Sequence, residues 1–275
     1  MRPAGPSSSP DASIARGTEL STSPSIRTEN LSIHFGGHAA VNSVSCAFHP
    51  GELTVIVGPN GAGKTTWFNL VSGQLRPSQG RIFLGERDIT TLSPSQRARA
   101  GIGRAFQLTN LFPKLSVFEN VRLAVQGKAR QGHRMFKRTA ALSGLAEKAM
   151  HFLEQTNLAA VAQLPAAALP HGDQRKLEVA MLLAMEPDIF MFDEPTAGMS
   201  VDEAPVILDL IARIKEDTAR TILLVEHKMD VVRALADRIV VLHNGELVAD
   251  GDPAEVMDMT LVRDIYLGTG ADEVA

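Results

Sequence analysis

The stretch Gly58-Pro59-Asn60-Gly61-Ala62-Gly63-Lys64-Thr65-Thr66 decides the fold. It reads G-x-x-x-x-G-K-[ST], and its setting supplies the confirming context. Upstream lies Leu53–Val57 (LTVIV), an apolar run bounded by Gly51 and Gly58 that reads as a buried strand. Downstream the chain opens into a helix. A strand that turns through glycines into a helix lets backbone N–H groups wrap a phosphate chain and aims the positive end of the helix at it. Lys64 is then the cation that reaches the β- and γ-phosphates, and the Thr65 hydroxyl is a ligand for Mg²⁺. Trp67 reads as packing on the new helix.

A second apolar strand, Ile189–Phe192, ends in two acids, Asp193 and Glu194. Asp193 at the strand tip suits a second Mg²⁺ contact, and Glu194 is placed to orient or deprotonate an attacking water. Strand and helix alternate beyond it: Val206–Ile214, Thr221–Val225, Met229–Ala236, Arg238–Leu242. Asn244-Gly245 is a hairpin signal before Glu246–Ala249. Ahead of the phosphate loop, Leu31, Ile33 and Phe35 alternate, as do Val41, Val44, Cys46 and Phe48 more loosely; these and Arg81–Leu84 read as strands. Between the two motifs, three- and four-residue apolar spacings predict helices over Val117–Lys128 and Leu142–Thr156. A further helix is expected over Gln174–Met185, ended by Pro187. The order predicts an α/β nucleotide-binding core with an inserted helical lobe.

Composition bounds the rest. A chain of 275 residues with a net charge of −4 is not built to neutralise a nucleic-acid backbone, so no nucleic-acid partner is expected. No apolar run approaches the roughly 18–20 residues that span a bilayer. The single Cys46 makes no internal disulfide, which fits a reducing compartment. Residues 1–25 hold seven Ser and four Pro and too little apolar surface to offset their ordering entropy, so a disordered tail is expected there.

Together these motifs resemble the ATP-binding cassette (ABC) family. The distinguishing feature is Leu169-Pro-His-Gly-Asp-Gln174, a glycine-centred helix start that resembles the ABC signature usually written LSGGQ. The resemblance implies a P-loop NTPase of the ABC ATPase type. Its RecA-like α/β core would carry an antiparallel β subdomain and an α-helical subdomain over about 108–186. The cassette would fill 26–268, with a C-terminal tail over 269–275. It implies ATP and Mg²⁺ as ligands. Gly58, Pro59, Asn60, Gly61, Ala62, Gly63, Lys64, Thr65 and Thr66 would hold the phosphates, with Phe35 stacking on adenine and Val41 among the nucleotide contacts. Gln107, in Gly103-Arg-Ala-Phe-Gln107, is similar to the Q-loop glutamine that contacts Mg²⁺ and faces the transmembrane partner. Ala197–Asp202 holds the D-loop position, and His227 resembles the switch histidine on the γ-phosphate. The implied catalytic set is Glu194, His227, Lys64 and Gln107, and the implied metal set is Thr65, Gln107 and Asp193.

The signature departs from the family pattern. Pro170 stands where Ser offers a hydroxyl to the ATP of the opposite subunit, His171 replaces the first Gly, and Asp173 replaces Gln, while Gly172 remains. The expectation is a weaker clamp and a slower opposite site. His34–Asn42, Arg104–Phe112, Asp193–Met199 and Tyr266-Leu-Gly268 resemble one ATPase of the branched-chain amino-acid importers; urea and short-amide importer ATPases are closely similar. That branch implies two transmembrane permease subunits, a second ABC ATPase in a heterodimer or homodimer, and indirectly a periplasmic substrate-binding protein. The chain would sit peripherally on the cytoplasmic face of the cell membrane. The competing class is a soluble ABC ATPase without a transporter. Its repair members need long coiled-coil insertions and its translation members usually carry tandem cassettes, neither of which this chain has, while its cluster-assembly members fit on length.

Overall fold

The computed structural model of the chain describes residues 25–105, 111–128, 139–200 and 203–268. The expected tails lie outside the described residues, apart from Ser25, and so does Gln107.

Alternating apolar residues make two long strands, β1 (Ile26–Phe35) and β2 (His38–Phe48), paired antiparallel around Gly36-Gly37. Their ladder shifts register between Leu31 and Ile33 and again between Ile33 and His34, so the two-residue alternation slips part-way along. β3 (Leu53–Val57) is buried at every residue, as a strand covered on both faces must be. After the phosphate loop comes α1 (Lys64–Ser72), then β4 (Gln79–Leu84), β5 (Arg87–Asp88), α2 (Pro94–Arg99) and β6 (Ile102–Ala105). The helical lobe is α3 (Val117–Lys128), α4 (Thr139–Gln155) and α5 (His171–Ala184). α5 begins ahead of the predicted Gln174. Its first turn, His171-Gly-Asp, carries no apolar residue to reveal it, yet Pro170 is tolerated at a helix start, where its missing N–H costs little, and Asp173 suits the positive end of the helix. The chain then alternates through β7 (Ile189–Asp193), α6 (Ala204–Lys215), β8 (Thr221–Val225), α7 (Met229–Leu235), β9 (Arg238–His243) and β10 (Glu246–Gly251). It ends in α8 (Pro253–Asp258) and α9 (Thr260–Gly268).

Among the described residues the strands form two sheets. One is antiparallel, in the order β2-β1-β4-β5. The other runs β10-β9-β3-β8-β7-β6, parallel from β9 to β6. Only β10 reverses, through Asn244-Gly245 with φ of 49° and 80°, the two positive angles that a tight hairpin turn requires. α1 lies between the sheets, and its Trp67, Phe68, Leu70 and Val71 join residues of both in one apolar cluster. The opposite face of the parallel sheet packs on α5, α6 and α7, and the helical lobe has its own cluster. Arg97 on α2 fixes α1 in place: its buried guanidinium donates to the Leu70 and Val71 carbonyls at 2.6 Å, and to those of Thr90 and Leu92. Burial pushes its pKa down to about 10. Since β3, β7 and β8 are parallel neighbours, the loops that follow them emerge at one edge, where an open α/β sheet places its ligands. No helix among the described residues is long and apolar enough to cross a membrane.

Candidate active site

The loop after β3 reaches its shape because two glycines occupy positions closed to any side chain. Gly58 has φ of 148°, and a Cβ there would collide with the Leu242 carbonyl oxygen. Gly63 caps α1 at φ 96°, and a Cβ there would collide with the Ala40 carbonyl oxygen. The loop is buttressed from the side, because Gly245 donates its N–H to the Ala62 carbonyl at 3.1 Å and accepts from the Asn42 N–H at 2.8 Å. The N–H groups that begin α1 have no preceding turn to satisfy them, which makes them ready donors to an anion.

Lys64 is buried and its ammonium donates to the carbonyls of Gly58 at 2.6 Å and Pro59 at 2.9 Å. Burial pushes this ammonium below its ordinary pKa, against the pull of Glu194 and Asp193. Asp193, at the end of β7, is buried too and accepts from Arg104 at 2.8 Å. Burial raises its carboxyl above the ordinary range, while the Arg104 charge and hydrogen bond oppose the rise. Glu194 leaves the ladder with φ of 50°, its N–H donating to the Val225 carbonyl at 3.0 Å. A left-handed residue other than glycine costs about 1–3 kcal/mol, and such strain concentrates at functional sites. Its carboxylate shares a 2.6 Å hydrogen bond with Nε2 of His227. Beneath them the buried Glu226 accepts from the Thr196 hydroxyl at 2.7 Å and from the His227 N–H at 2.9 Å, so it fixes the backbone that carries His227.

These elements enclose a cleft of about 180 Å³ lined by Ala40, Asn60, Gly61, Ala62, Gly63, Lys64, Thr65, Thr66, Glu194 and His227. A cleft with a hydroxyl, an ammonium, helix-end N–H groups, a carboxylate and an imidazole suits a triphosphate and an attacking water. The donor set also fits Mg²⁺. Among the described residues no cluster of three or more His, Cys, Asp or Glu could hold an ion by itself. Mg²⁺ wants no such cage, since it keeps waters and binds through one or two protein oxygens plus phosphate. Thr65 and Asp193 are oxygen donors of that kind.

The family profile described as ABC transporter matches residues 41–197. The chain belongs to the ABC transporter family. It is an ATP-hydrolysing, nucleotide-binding cassette of that family. It is 38% identical over 250 residues to the high-affinity branched-chain amino acid transport ATP-binding protein LivG of Salmonella typhimurium, covering 89% of this chain and 98% of that one. It is 36% identical over 258 residues to the corresponding protein BraF of Pseudomonas aeruginosa, with the same coverage. Among solved structures, the ADP conformation of MJ1267, an ATP-binding cassette of an ABC transporter, superimposes with a TM-score of 0.75 at 29% identity. That match covers 90% of this chain and all 100% of the other. A nucleotide-free cassette from an ABC transporter gives 0.74 at 28% identity, covering 88% and 98%.

Not every expected site residue of the cassette lines the cleft. Phe35 is 52% exposed at the end of β1, facing His38 across the hairpin. The Val41 side chain is fully buried in the core, and the neighbouring Ala40 lines the cleft instead. Gln107, Val201 and Asp202 lie outside the described residues. Pro170, His171, Gly172 and Asp173 sit apart from the cleft at the start of α5, against the segment that follows Glu194. A Cβ on Gly172 would collide with the Glu203 carboxylate. Asp173 is paired with Lys176 at 2.8 Å, so its charge is compensated within its own turn. The reading from sequence overlooked Ala40, Arg104 and Glu226. The signal for Arg104 was its place in Gly103-Arg-Ala-Phe-Gln107, and for Glu226 its place just before His227.

Proposed function

We propose that this cassette is the peripheral ATPase subunit of an importer for branched-chain or chemically related amino acids, working at the cytoplasmic face of the cell membrane. The substrate class rests on the similarity to LivG and BraF over nearly their whole lengths. The observation that carries the catalytic reading is the 2.6 Å contact between Glu194 and His227 at the mouth of the phosphate-loop cleft.

Each residue then has a task that follows from its chemistry. Backbone N–H groups of the loop Gly58–Thr66 hold the phosphates. Lys64 exchanges its two carbonyl bonds for bonds to the phosphate oxygens. Thr65, Asp193 and Gln107 would hold the Mg²⁺ of Mg–ATP, which would neutralise phosphate charge. Glu194 orients and deprotonates water, and His227 faces the γ-phosphate. Catalysis is mainly positioning and charge stabilisation in a fixed frame. Phe35, exposed on its hairpin, stacks on adenine.

The helical subdomain, about 108–186, turns the signature Pro170–Asp173 toward the ATP of a second cassette, in a heterodimer or homodimer. Closing that pair moves two permease subunits docked near Gln107, and a periplasmic binding protein delivers the substrate. The test is a tagged pull-down from detergent-solubilised membranes with the co-purifying chains identified by mass spectrometry. It is joined to leucine uptake in a strain lacking the chain. Two multi-span proteins with a second cassette, and uptake restored by the wild type but not by Glu194→Gln, are expected. Recovery from the soluble fraction without membrane partners, or equal uptake with both variants, overturns the proposal.

A further inference from the structure

We propose that Arg104 is a positioning residue for the Asp193 carboxylate, holding one of its oxygens so that the other is presented to the metal ion of Mg–ATP. The inference rests on the nucleotide-site reading above. Arg104 lies on β6, the edge strand beside β7, with Arg104 opposite Met191 and Ala105 opposite Phe192. Strand alternation puts it on the face shared with Ile102, toward α1. There its Nη2 donates to Oδ2 of Asp193 at 2.8 Å, and its Nη1 donates to Oδ1 of Asn69 at 2.7 Å and to the Ser72 hydroxyl at 2.8 Å. The guanidinium carbon sits 5.5 Å from the centre of the Phe68 ring. One planar group therefore ties the carboxylate strand to two side chains of the helix that begins at Lys64.

Both members of the pair are almost fully covered, at 8% and 5% exposure. A buried ion pair is a poor source of net stability, because desolvation offsets the attraction. What the arrangement does supply is direction. A guanidinium presents its donors in a fixed fork, so it sets the angle of the carboxylate as well as its charge. The bond occupies Oδ2 and comes from the α1 side. Lys64 is the other cation acting on Asp193. Without Arg104, the Asp193 carboxylate loses the donor that fixes its angle, while Lys64 keeps its loop carbonyls and stays free for the phosphates. The two groups thus have separate roles, with Lys64 held by loop carbonyls and Asp193 held from behind.

The experiment titrates ATP into the full-length protein, with and without Mg²⁺, by calorimetry and by the fluorescence of Trp67. That residue is the only tryptophan of the chain and sits on α1. Arg104→Met is expected to bind ATP in EDTA within about twofold of the wild type. The Mg²⁺ concentration that half-maximally tightens ATP should rise about 10–100-fold, the usual cost of removing a partner of a metal-binding carboxylate. Arg104→Lys, which keeps the charge without the fork, should fall between. Asn69→Ala with Ser72→Ala leaves the cation and removes its anchors, and should also raise the Mg²⁺ requirement; it decides the matter if Arg104→Met fails to fold. A Mg²⁺ requirement within twofold of the wild type, or an equal loss of ATP affinity with and without Mg²⁺, overturns the inference. A wild type whose ATP binding ignores Mg²⁺ refutes the nucleotide-site reading itself.

Discussion

Glu194 and His227 share one short hydrogen bond, and this makes a prediction sharper than the loss of either residue alone. Each is about two-fifths exposed, at 38% and 40%, so the bond contributes little to folding, about 1 kcal/mol or less. Its value is in turnover. Removing a positioned acid or base costs about 10²–10⁴-fold, which is about 2.7–5.4 kcal/mol of barrier. Glu194→Gln and His227→Ala should each fall in that range. If the two acted independently, the double variant would lose their product, about 10⁴–10⁸-fold. The 2.6 Å contact says instead that they form one unit, in which the histidine fixes the carboxylate that handles the water. Residues that act as a unit are strongly non-additive. The double variant should therefore be no worse than the poorer single variant. The assay is phosphate release by the membrane complex at saturating ATP, with ATP affinity followed by Trp67 fluorescence so that binding and chemistry are separated. A double variant whose loss equals the product of the two single losses would refute the shared-unit reasoning. Near-wild-type turnover by Glu194→Gln would remove that residue from the chemistry altogether.

Two further predictions concern the frame of the site. Gly63→Ala places a Cβ against the Ala40 carbonyl at φ 96°, so it should abolish ATP binding. It should also destabilise the protein by about 1–3 kcal/mol or more, read by thermal unfolding; wild-type ATP affinity would contradict this. Burial, reinforced by the charge of Asp250 and opposed by Arg238, pushes the Cys46 thiol from 9.0 up to about 12. A group whose pKa rises on folding contributes stability that is complete below its unfolded value and is lost as pH rises through the folded one. Part of the alkaline loss of stability between pH 9 and about 12 therefore belongs to Cys46, and Cys46→Ala should flatten the urea midpoint across that window. An unchanged slope would count against it.

The parts of this protein that were legible in sequence are those whose spacing is fixed by one local requirement. The phosphate loop must turn a strand into a helix around an anion, so Gly58, Gly63 and Lys64 announce themselves within a few residues. β3, β8 and α3 carry their burial in their own periodicity and fall where the pattern puts them. What stayed hidden depends on distant partners or on short elements. α2 and β6 span too few residues to show a period. That Ala40 lines the cleft while Val41 is buried in the core depends on how the hairpin packs, which one strand does not show. The role of Arg104 comes from Asn69, Ser72 and Asp193, all far from it in sequence. The charge of Asp173 at the signature is compensated by Lys176, one turn along the same helix.

The adjacent acids Asp193 and Glu194 show how the fold resolves a conflict that sequence only poses. Two neighbouring carboxylates at the mouth of a phosphate site repel each other and repel the substrate. Like charges in close contact force one pKa upward. Strand geometry already sends consecutive side chains to opposite faces, and here the separation is carried further. Asp193 stays in the ladder beside Val225, turns inward and meets a guanidinium. Glu194 leaves the ladder in the left-handed region, which swings its side chain to the cleft and onto an imidazole. Each carboxylate thus has its own partner, and neither partner can serve both. The backbone strain at Glu194 is what permits one acid to be buried and oriented while its neighbour faces the cleft where water enters. A residue that relaxed this angle, even one that kept the carboxylate, would return position 194 to strand geometry and draw its carboxylate off the imidazole. The left-handed angle at position 194 is therefore as much a part of the site as the carboxylate it carries.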